Sequence, residues 1–468
     1  MQGGWGSQAD RMRMRNAPRI IISGIRGKSG KTIFTTLLIR DLISRGVKVK
    51  PFKVGPDFID PMHHAAACGC SSRNLDEYLM GMDGVKCRLM RYSDGDVSII
   101  EGVLGLYDSM DGATDFGSTA KIARETGTPV ILVMDGDRTN RGLAAVLRGF
   151  RGFDDGVNIA GVAVTNVTKR QIDKLTRLFE EEGIPLVGII PRSEEIESDF
   201  RYRHLGLVPV VEGGGGGGYD HWIDIDAVLK IARSAPPLEG HCRDYEEPPK
   251  TGLRVGVIMD KAFSFYYPET FETINSMARE VAIIDSMRDG GLPNIDALII
   301  GGGFPEEYAN LIERNRSLLA DIRRFSELGG FIYAECGGLM LLSSTLETLN
   351  NEEYGMSGVI DAYVTMLRRP VGHGYVESVA LMDTPMFRRG ENVRGHEFHH
   401  SRLILRENVD FYLRIIRGIG INGYDGIRKR NTFAQYVHVH PEGLNIVRNA
   451  LSSIWLEKST DSPRSSGP

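Results

Sequence analysis

Short, nearly continuous apolar segments alternate with amphipathic segments over the first half of the chain. The apolar segments begin at Arg19, Val47, Val97, Val130, Ile159 and Leu186. Buried parallel strands have this composition because helices cover both faces of the sheet that they form. The pattern therefore predicts an α/β domain with a parallel sheet, whose ligands bind at the carboxyl ends of the strands.

A segment of different composition interrupts this alternation. It begins with the glycines 213–218 and ends near Glu246-Glu-Pro-Pro-Lys250. We interpret residues 213–252 as a Gly/Pro-rich linker around a short helix at 224–232. A second alternating series follows, and its last apolar segment, 432–440, predicts an edge or antiparallel strand.

The length of the chain supports two domains. A chain of 468 residues exceeds the size at which one hydrophobic core usually keeps growing. We expect α/β domains at 18–212 and 253–448. The polar residues 459–468 predict a disordered tail.

Charge and hydropathy bear on the partners of the chain. A net charge of −5 and a pI near 6.2 give no basic field, so we expect no nucleic acid partner. The basic segment Arg11 to Arg15 is interpreted as a solvated tail. No apolar run reaches the roughly 18 residues that span a bilayer, and no signal peptide precedes the first strand, which predicts a cytoplasmic protein without a membrane partner.

The five cysteines are scattered, which argues against a disulfide framework. Cys68 and Cys70 lie close to His63 and His64, but the C-x-C spacing has no second ligand pair. We therefore expect no metal site there.

The first predicted strand leads into a glycine-containing loop, Gly24 to Thr32, that a helix follows. Loops of this kind bind phosphate through their backbone N–H groups, while the lysine reaches the β and γ phosphates. The first glycine lies one residue further from Gly30 than in the strict phosphate-loop motif. We predict that ATP phosphates contact Gly27, Ser29, Gly30, Lys31, Thr32 and Lys53.

Acidic residues follow the next two strands. Asp57 comes after the strand at Val47, and Glu101 comes after the strand at Val97. Carboxylates at neighbouring strand ends beside a phosphate loop are suited to Mg²⁺, so we predict a metal site formed by Thr32, Asp57 and Glu101. Asp60 and Asp108 are further candidates for contacts with the substrate or ATP.

A cysteine lies at a sharp strand-to-helix transition in the second half of the chain. Cys336 follows the apolar segment Phe331 to Ala334 and precedes two glycines. Such a turn exposes a nucleophilic thiol. The base that a thiol needs is predicted to be His438, with His440 as the alternative. Backbone N–H groups of Gly302, Gly303 and Gly337 are candidates for an oxyanion hole beside the thiol.

From Arg19 to about Val447 the chain resembles the cobyrinate a,c-diamide synthase family, including the related nickel-sirohydrochlorin a,c-diamide synthases of coenzyme F430 assembly. Several ordered motifs support the resemblance. They are PFKVGPDFIDP at 51–61, RNLD at 73–76, EGVLGLYD at 101–108, RHLGLVP at 203–209, AFSFYYPE at 262–269, GGGFPE at 301–306, ECGG at 335–338 and GHEFH at 395–399.

The resemblance implies an N-terminal domain like dethiobiotin synthetase, a P-loop NTPase, and a C-terminal domain like class I glutamine amidotransferases. It further implies that ATP and Mg²⁺ phosphorylate the a- and c-acetate carboxylates of a tetrapyrrole, and that ammonia from L-glutamine displaces each phosphate. We favour cobyrinate as the substrate, with nickel-sirohydrochlorin as the alternative. The order of the two amidations stays open, and a homodimer is the default expectation.

Two positions depart from the family pattern. Arg26 and Lys28 add charge to a loop that is often Gly/Ser-rich in relatives. His440 occupies a position where many class I amidotransferases carry a triad glutamate, so we expect a Cys–His dyad.

Two other functions share features with this chain. Cobyric acid synthases have a similar architecture but lack the KVGPD and RNLD patterns. A nucleotide switch of the MinD/ParA type would leave Cys336 and the second domain without a role.

Overall fold

A computed structural model describes residues 11–200, 220–242 and 248–461. The chain divides into two units, Met1–Tyr245 and Glu246–Pro468. The predicted family motif at 203–209 and the glycines 213–218 lie outside the described residues.

Unit 1 is built on a sheet of eight strands in the order β4-β3-β5-β2-β6-β7-β8-β9. All neighbouring pairs are parallel except β8 and β9. The strands of the unit are β1 (Arg11–Arg15), β2 (Arg19–Gly24), β3 (Val49–Val54), β4 (Arg73–Leu75), β5 (Val97–Gly105), β6 (Val130–Asp135), β7 (Ile159–Val167), β8 (Leu186–Pro191), β9 (Trp222–Ile223) and β10 (Leu238–Cys242). Its helices are α1 (Lys31–Ser44), α2 (Ile59–Cys68), α3 (Glu77–Tyr92), α4 (Thr119–Thr126), α5 (Gly142–Phe153), α6 (Ile172–Glu181), α7 (Glu194–Asp199) and α8 (Ile225–Arg233). The predicted parallel sheet is confirmed.

Unit 2 contains a nine-stranded sheet in the order β12-β11-β13-β14-β23-β22-β21-β18-β19 and a four-stranded sheet in the order β16-β15-β17-β20. Its strands are β11 (Arg254–Ile258), β12 (Glu280–Ile284), β13 (Ala297–Ile300), β14 (Phe331–Glu335), β15 (Thr345–Glu347), β16 (Glu353–Gly355), β17 (Ala362–Met366), β18 (Gly372–Ala380), β19 (Asn392–His399), β20 (Ser401–Leu405), β21 (Asp410–Arg417), β22 (Tyr424–Lys429) and β23 (Thr432–Gln435). Its helices are α9 (Pro268–Met277), α10 (Ala309–Arg314), α11 (Arg316–Glu327), α12 (Gly337–Leu342) and α13 (Ile446–Asp461). β23 is central, parallel to β14 and antiparallel to β22.

The N-terminal basic segment is not a solvated tail. It forms β1, which pairs antiparallel with β10. Arg15 donates a hydrogen bond to the carbonyl of Met90. The alternation of arginine and methionine has the period of a strand, and β10 supplies a partner for its backbone.

The segment 220–242 is ordered where we predicted a linker. β9 extends the main sheet, α8 replaces the predicted helix at 224–232 with a one-residue shift, and β10 pairs with β1. The predicted disordered tail is helical at residues 459–461, where α13 ends. Residues 462–468 lie outside the described residues.

Cysteine pairing also differs from the prediction. One disulfide joins Cys87 on α3 to Cys242 on β10, which are 155 residues apart, and another joins Cys68 to Cys70. Cys336 is the free cysteine of the five. The spacing of the cysteines did not reveal the Cys87–Cys242 pair, because folding brings α3 and β10 together from distant parts of the chain.

No helix within the described ranges is long and apolar enough to cross a bilayer.

We expect Gly188→Ala to destabilise unit 1 by about 1–3 kcal/mol. A Cβ at Gly188 on β8 would overlap the ring of Phe34, which is fully buried. The matched control is Gly149→Ala on α5, where a Cβ meets nothing within 4 Å and alanine favours the helix. Urea unfolding of the full chain measures both, and equal midpoints for the two variants would contradict the expected packing.

Candidate active sites

The phosphate loop connects β2 to α1 in unit 1. Gly30 caps α1 with a φ of 83°, a left-handed conformation that glycine adopts without strain. The hydroxyl of Thr165 donates to the carbonyl of Ser29 at 3.0 Å and fixes the loop against β7. The loop is therefore held in one shape by backbone geometry and a neighbouring strand.

Lys31 begins α1 and is buried. Its Nζ donates to the carbonyl of Leu104 and, at 3.5 Å, to the carbonyl of Arg26. Burial, followed by the positive charge of Lys53, lowers the pKa of Lys31 to about 8, although Glu101 and Asp60 oppose the shift. An anionic ligand beside this ammonium would favour its charged form.

Lys53 lies at the end of β3 and is surrounded by carboxylates. Its Nζ lies 2.6 Å from Asp60 Oδ2, 3.3 Å from Glu101 Oε1 and 3.9 Å from Asp57 Oδ2. It also donates to the carbonyl of Gly102 at 2.8 Å. Burial disfavours the charge on Lys53, but the three carboxylates outweigh burial and raise its pKa above the ordinary value.

The acidic residues of this cluster respond to the same neighbours. Burial and the charge of Asp60 raise the pKa of Asp57. Burial opposes ionisation of Asp60 as well, but Lys53 outweighs it and lowers the pKa of Asp60. Asp60 therefore carries its charge beside Lys53, and a further cation would favour the ionised form of Asp57.

The oxygen atoms around Thr32 fit a magnesium ion. Thr32 Oγ1 lies 2.8 Å from Glu101 Oε1 and 3.2 Å from Asp60 Oδ1. Across the described ranges, no three or more His, Cys, Asp or Glu side chains form a group that could hold a metal. Mg²⁺ commonly uses one or two carboxylates with phosphates and waters, so the Thr32 donor set suits it better than a complete protein cage would.

A cavity of about 680 Å³ opens beside the loop. Most predicted nucleotide residues line it, namely Gly27, Ser29, Gly30, Lys31, Thr32, Lys53, Asp57, Asp60 and Glu101. Asp108 is not among the lining residues, and its Oδ2 accepts the backbone N–H of Gly105 at 2.7 Å.

Asn74, in the RNLD motif at 73–76, makes a specific contact that the sequence did not predict. Its Nδ2 donates to the carbonyl of Gly55 at 2.8 Å and to that of Asp57 at 2.7 Å. Asn74 thereby holds the loop that carries Asp57.

Cys336 lies in unit 2 between β14 and α12. Its φ of 48° is unusual for a residue with a side chain, and its N–H donates to the carbonyl of Gln435 at 2.7 Å. Strained backbone of this kind is typical of functional turns. The strand, the turn and the helix predicted around this thiol are all present.

His438 is hydrogen-bonded to the Cys336 side chain, and its Nδ1 lies 2.9 Å from Glu335 Oε2. Burial disfavours the imidazolium, but the bonds to Cys336 and Glu335 outweigh burial and raise the pKa of His438 to about 10. Tyr333 donates to Glu335 Oε1 at 2.5 Å. We expected a Cys–His dyad, but a third residue takes part. Glu335, directly before the cysteine, places its carboxylate against the imidazole of His438.

His440, the alternative base, has other neighbours. Its Nε2 lies 3.8 Å from Glu269 Oε2, and its ring packs against Tyr267 at 4.2 Å between centroids. The geometry favours His438 as the partner of the thiol.

The predicted oxyanion glycines converge near the thiol and its imidazole. A Cβ on Gly302 would lie 2.6 Å from His438 Cε1, and a Cβ on Gly337 would lie 3.0 Å from the backbone nitrogen of Gly303. A side chain at either position would obstruct these close approaches, which glycine allows. The oxyanion role of these glycines stays a prediction.

Comparison with known proteins identifies the two domains. Residues 20–205 match the CobQ/CobB/MinD/ParA nucleotide binding domain, and residues 254–445 match the CobB/CobQ-like glutamine amidotransferase domain. A cobyrinate a,c-diamide synthase of Archaeoglobus fulgidus is 39% identical over 436 residues, covering 90% of this chain and 94% of the relative. The chain belongs to the cobyrinate a,c-diamide synthase family.

Further relatives support this membership. Proteins named cobyrinate a,c-diamide synthase from Methanosarcina barkeri and Magnetococcus marinus are 36% and 38% identical, over 92% and 95% of this chain and 94% and 98% of the relatives. As a member of the cobyrinate a,c-diamide synthase family, the chain is a glutamine-hydrolysing amide ligase. The predicted combination of a P-loop NTPase domain and a glutamine amidotransferase domain is confirmed.

The raised pKa of His438 predicts a pH-dependent stability. Protonated His438 stabilises unit 2 fully below its ordinary pKa of 6.5, and this contribution is lost as the pH rises through about 10. We expect the stability difference between the wild type and His438→Gln to shrink by more than about 1 kcal/mol over this window. Urea unfolding at several pH values measures it.

His400→Gln is the control for this experiment, since Nδ1 of His400 bonds to the Leu367 carbonyl at 3.1 Å and not to a carboxylate. A constant difference between the wild type and His438→Gln from pH 6.5 to 10 would contradict the expected charge on His438.

Proposed function

We propose that the protein amidates the a- and c-acetate carboxylates of cobyrinate, using ATP and L-glutamine, in cobalamin biosynthesis. The observation that carries this proposal is the presence in one chain of a phosphate-loop cavity lined by carboxylates and a thiol bonded to an imidazole. The names of relatives at 36–39% identity support cobyrinate as the substrate.

The first step activates a substrate carboxylate. A carboxylate does not accept an amine because it would have to expel oxide, whereas an acyl phosphate has a good leaving group. A carboxylate oxygen attacks the γ-phosphorus of ATP, the bond to the β–γ bridging oxygen breaks, and ADP leaves. The loop at Gly30 and the ammonium of Lys31 bind the phosphates and stabilise their charge.

Mg²⁺ would be held by Thr32 with Asp57 and Glu101, and when bound it supplies positive charge to the phosphates. Lys53 holds Asp60 and Glu101 at the wall of the cavity, and its positive charge reduces the repulsion between the acidic groups that face the loop.

The second step releases ammonia from glutamine. The sulfur of Cys336 attacks the carboxamide carbon, and the oxyanion lies beside the backbone N–H groups of Gly303 and Gly337. His438 gives its proton to the departing nitrogen, which leaves as ammonia. Water then hydrolyses the thioester to glutamate, with His438 as the base and Glu335 stabilising the imidazolium.

The third step joins the two products. Ammonia attacks the acyl phosphate, and the amide forms as inorganic phosphate leaves. Free ammonia in water at neutral pH is mostly ammonium, so release from glutamine on the same chain supplies the nucleophilic form. Each of the two carboxylates requires one ATP and one glutamine.

Nickel-sirohydrochlorin is the alternative substrate for the same a,c-diamidation in coenzyme F430 biosynthesis. A nucleotide switch of the MinD/ParA type is the alternative from another class. The thiol–imidazole pair in unit 2 argues against a switch, which needs no glutaminase. We continue to predict that the protein forms a homodimer and that it is located in the cytoplasm.

We expect Cys336→Ala to lose glutamine-driven amidation by a factor of about 10³ or more, because no other group can form the thioester. Amidation driven by added ammonium should persist, since unit 1 is unchanged. Cys336→Ser, which keeps the shape of the side chain, is the control for packing and should also lose the glutamine-driven reaction. Full glutamine-driven activity in Cys336→Ala would refute Cys336 as the nucleophile.

The substrate is tested by incubating the protein with cobyrinate or nickel-sirohydrochlorin, together with ATP, Mg²⁺ and glutamine. We expect mass spectrometry to find cobyrinate with two carboxyl groups converted to carboxamides. A diamide from nickel-sirohydrochlorin alone would favour the alternative substrate. Absence of any amidated macrocycle, without glutaminase turnover, would contradict the proposed function and favour a switch.

A further inference from the structure

A buried histidine lies directly behind the carboxylate cluster of unit 1. Nε2 of His64 lies 2.7 Å from Glu101 Oε2, and Nδ1 lies 3.0 Å from Ser72 Oγ. His64 and Glu101 are both 0% exposed, and Ser72 is 3% exposed. The steps proposed for amidation leave His64 and Ser72 without a role.

The contact with His64 assigns a different partner to each oxygen of Glu101. Oε2 faces His64, whereas Oε1 faces Thr32 at 2.8 Å and Lys53 at 3.3 Å. An ionised carboxylate only accepts hydrogen bonds, so Nε2 of His64 carries the proton in this contact. Rotation of the Glu101 carboxylate would break the bond to His64, and the direction of Oε1 is therefore defined.

Ser72 completes the arrangement from the other side of the ring. With the proton on Nε2, a neutral imidazole accepts at Nδ1, where the hydroxyl of Ser72 is placed to donate. A hydroxyl at this position is compatible with the tautomer that donates to Glu101, and its bond to Nδ1 fixes the orientation of the ring. Partners that orient the groups around a metal in this way are typical of metal sites.

The spacing on α2 explains why the helix presents His64 here. Asp60 and His64 are four residues apart and so lie on the same face of α2. Asp60 bonds to Lys53 at 2.6 Å, and His64 bonds to Glu101. One helix face thus organises both carboxylates that adjoin Thr32.

We propose that His64, oriented by Ser72, is a positioning residue that directs Oε1 of Glu101 toward the magnesium ion of bound ATP. The inference rests on the proposed function, because it assumes that the cavity binds magnesium and ATP. It adds two residues to the site that do not themselves contact the nucleotide. Their effect is on cation affinity and not on glutamine hydrolysis.

The test is a titration of the full chain with Mn²⁺ in the presence of a non-hydrolysable ATP analogue, with free Mn²⁺ measured by electron paramagnetic resonance. We expect His64→Leu, which removes the N–H donor, to weaken Mn²⁺ binding by about 10–100-fold. His64→Gln offers an amide N–H and should recover part of the affinity. Ser72→Ala should weaken binding by a smaller factor, since the ring remains.

The matched control is His221→Gln. His221 also contacts a carboxylate in unit 1, with Nε2 lying 3.0 Å from Asp41 Oδ2, but Asp41 is on α1 away from the phosphate loop. We expect wild-type Mn²⁺ affinity for this variant. Glutaminase activity should be unchanged in all of these variants, because Cys336 is in unit 2.

The outcomes separate the two proposals. Wild-type Mn²⁺ affinity in both His64→Leu and Ser72→Ala would overturn the positioning role while leaving the proposed function standing. An equal loss of affinity in His64→Leu, Ser72→Ala and His221→Gln would overturn it as well, since that pattern reports general destabilisation. A wild-type chain that binds neither Mn²⁺ nor the ATP analogue would overturn the proposed function itself. If His64→Leu does not fold, His64→Gln and Ser72→Ala decide the question.

Discussion

The ion pairs of Lys53 are the interaction on which the nucleotide unit depends. Three carboxylates, Asp57, Asp60 and Glu101, meet within 4 Å of one buried ammonium. Without that cation, buried negative charges at this density would repel one another and carry a large desolvation cost. The ammonium of Lys53 joins strand β3, strand β5 and helix α2 at the carboxyl ends of the strands, where the phosphate loop opens.

Unit 2 also brings reactive side chains together, but they are of a different kind. Cys336, Glu335 and His438 come from the ends of two adjacent parallel strands, β14 and β23. The backbone of His438 is further fixed by two hydrogen bonds with His396, at 2.8 and 3.0 Å. Both units therefore place their reactive side chains where parallel strands end, but unit 1 gathers oxygen donors and unit 2 pairs a thiol with an imidazole.

Much of this arrangement could be predicted from the sequence because it depends on local patterns. Apolar segments with intervening helices predicted the parallel sheet, and the glycines around Lys31 and Cys336 marked both loops. Contacts between distant segments were not predictable in the same way. The pairing of β1 with β10 in a separate two-stranded sheet and the disulfide between Cys87 on α3 and Cys242 on β10 join segments far apart in the chain. β9, in the ordered segment 220–242, pairs with β8 at the edge of the main sheet.

Glu335 and His64 show a second limit of sequence reasoning. Glu335 lies in the ECGG motif directly before the cysteine, whereas the resemblance to class I amidotransferases places a triad glutamate at position 440, which is His440 here. His64 was considered as a metal ligand because of the nearby cysteines, yet its ring contacts Glu101. In each case the residue type was visible, but its partner was set by the packing of another strand.

Oxygen transfer from the substrate carboxylate is the most direct test of ATP-dependent activation at the Lys53 cluster. Cobyrinate labelled with ¹⁸O in its acetate carboxylates is converted with ATP and glutamine, and the inorganic phosphate is analysed by mass spectrometry. An acyl phosphate intermediate predicts one ¹⁸O atom in phosphate for each amide formed. Phosphate without ¹⁸O, or ¹⁸O found in AMP, would contradict the transfer of the γ-phosphoryl group to the carboxylate.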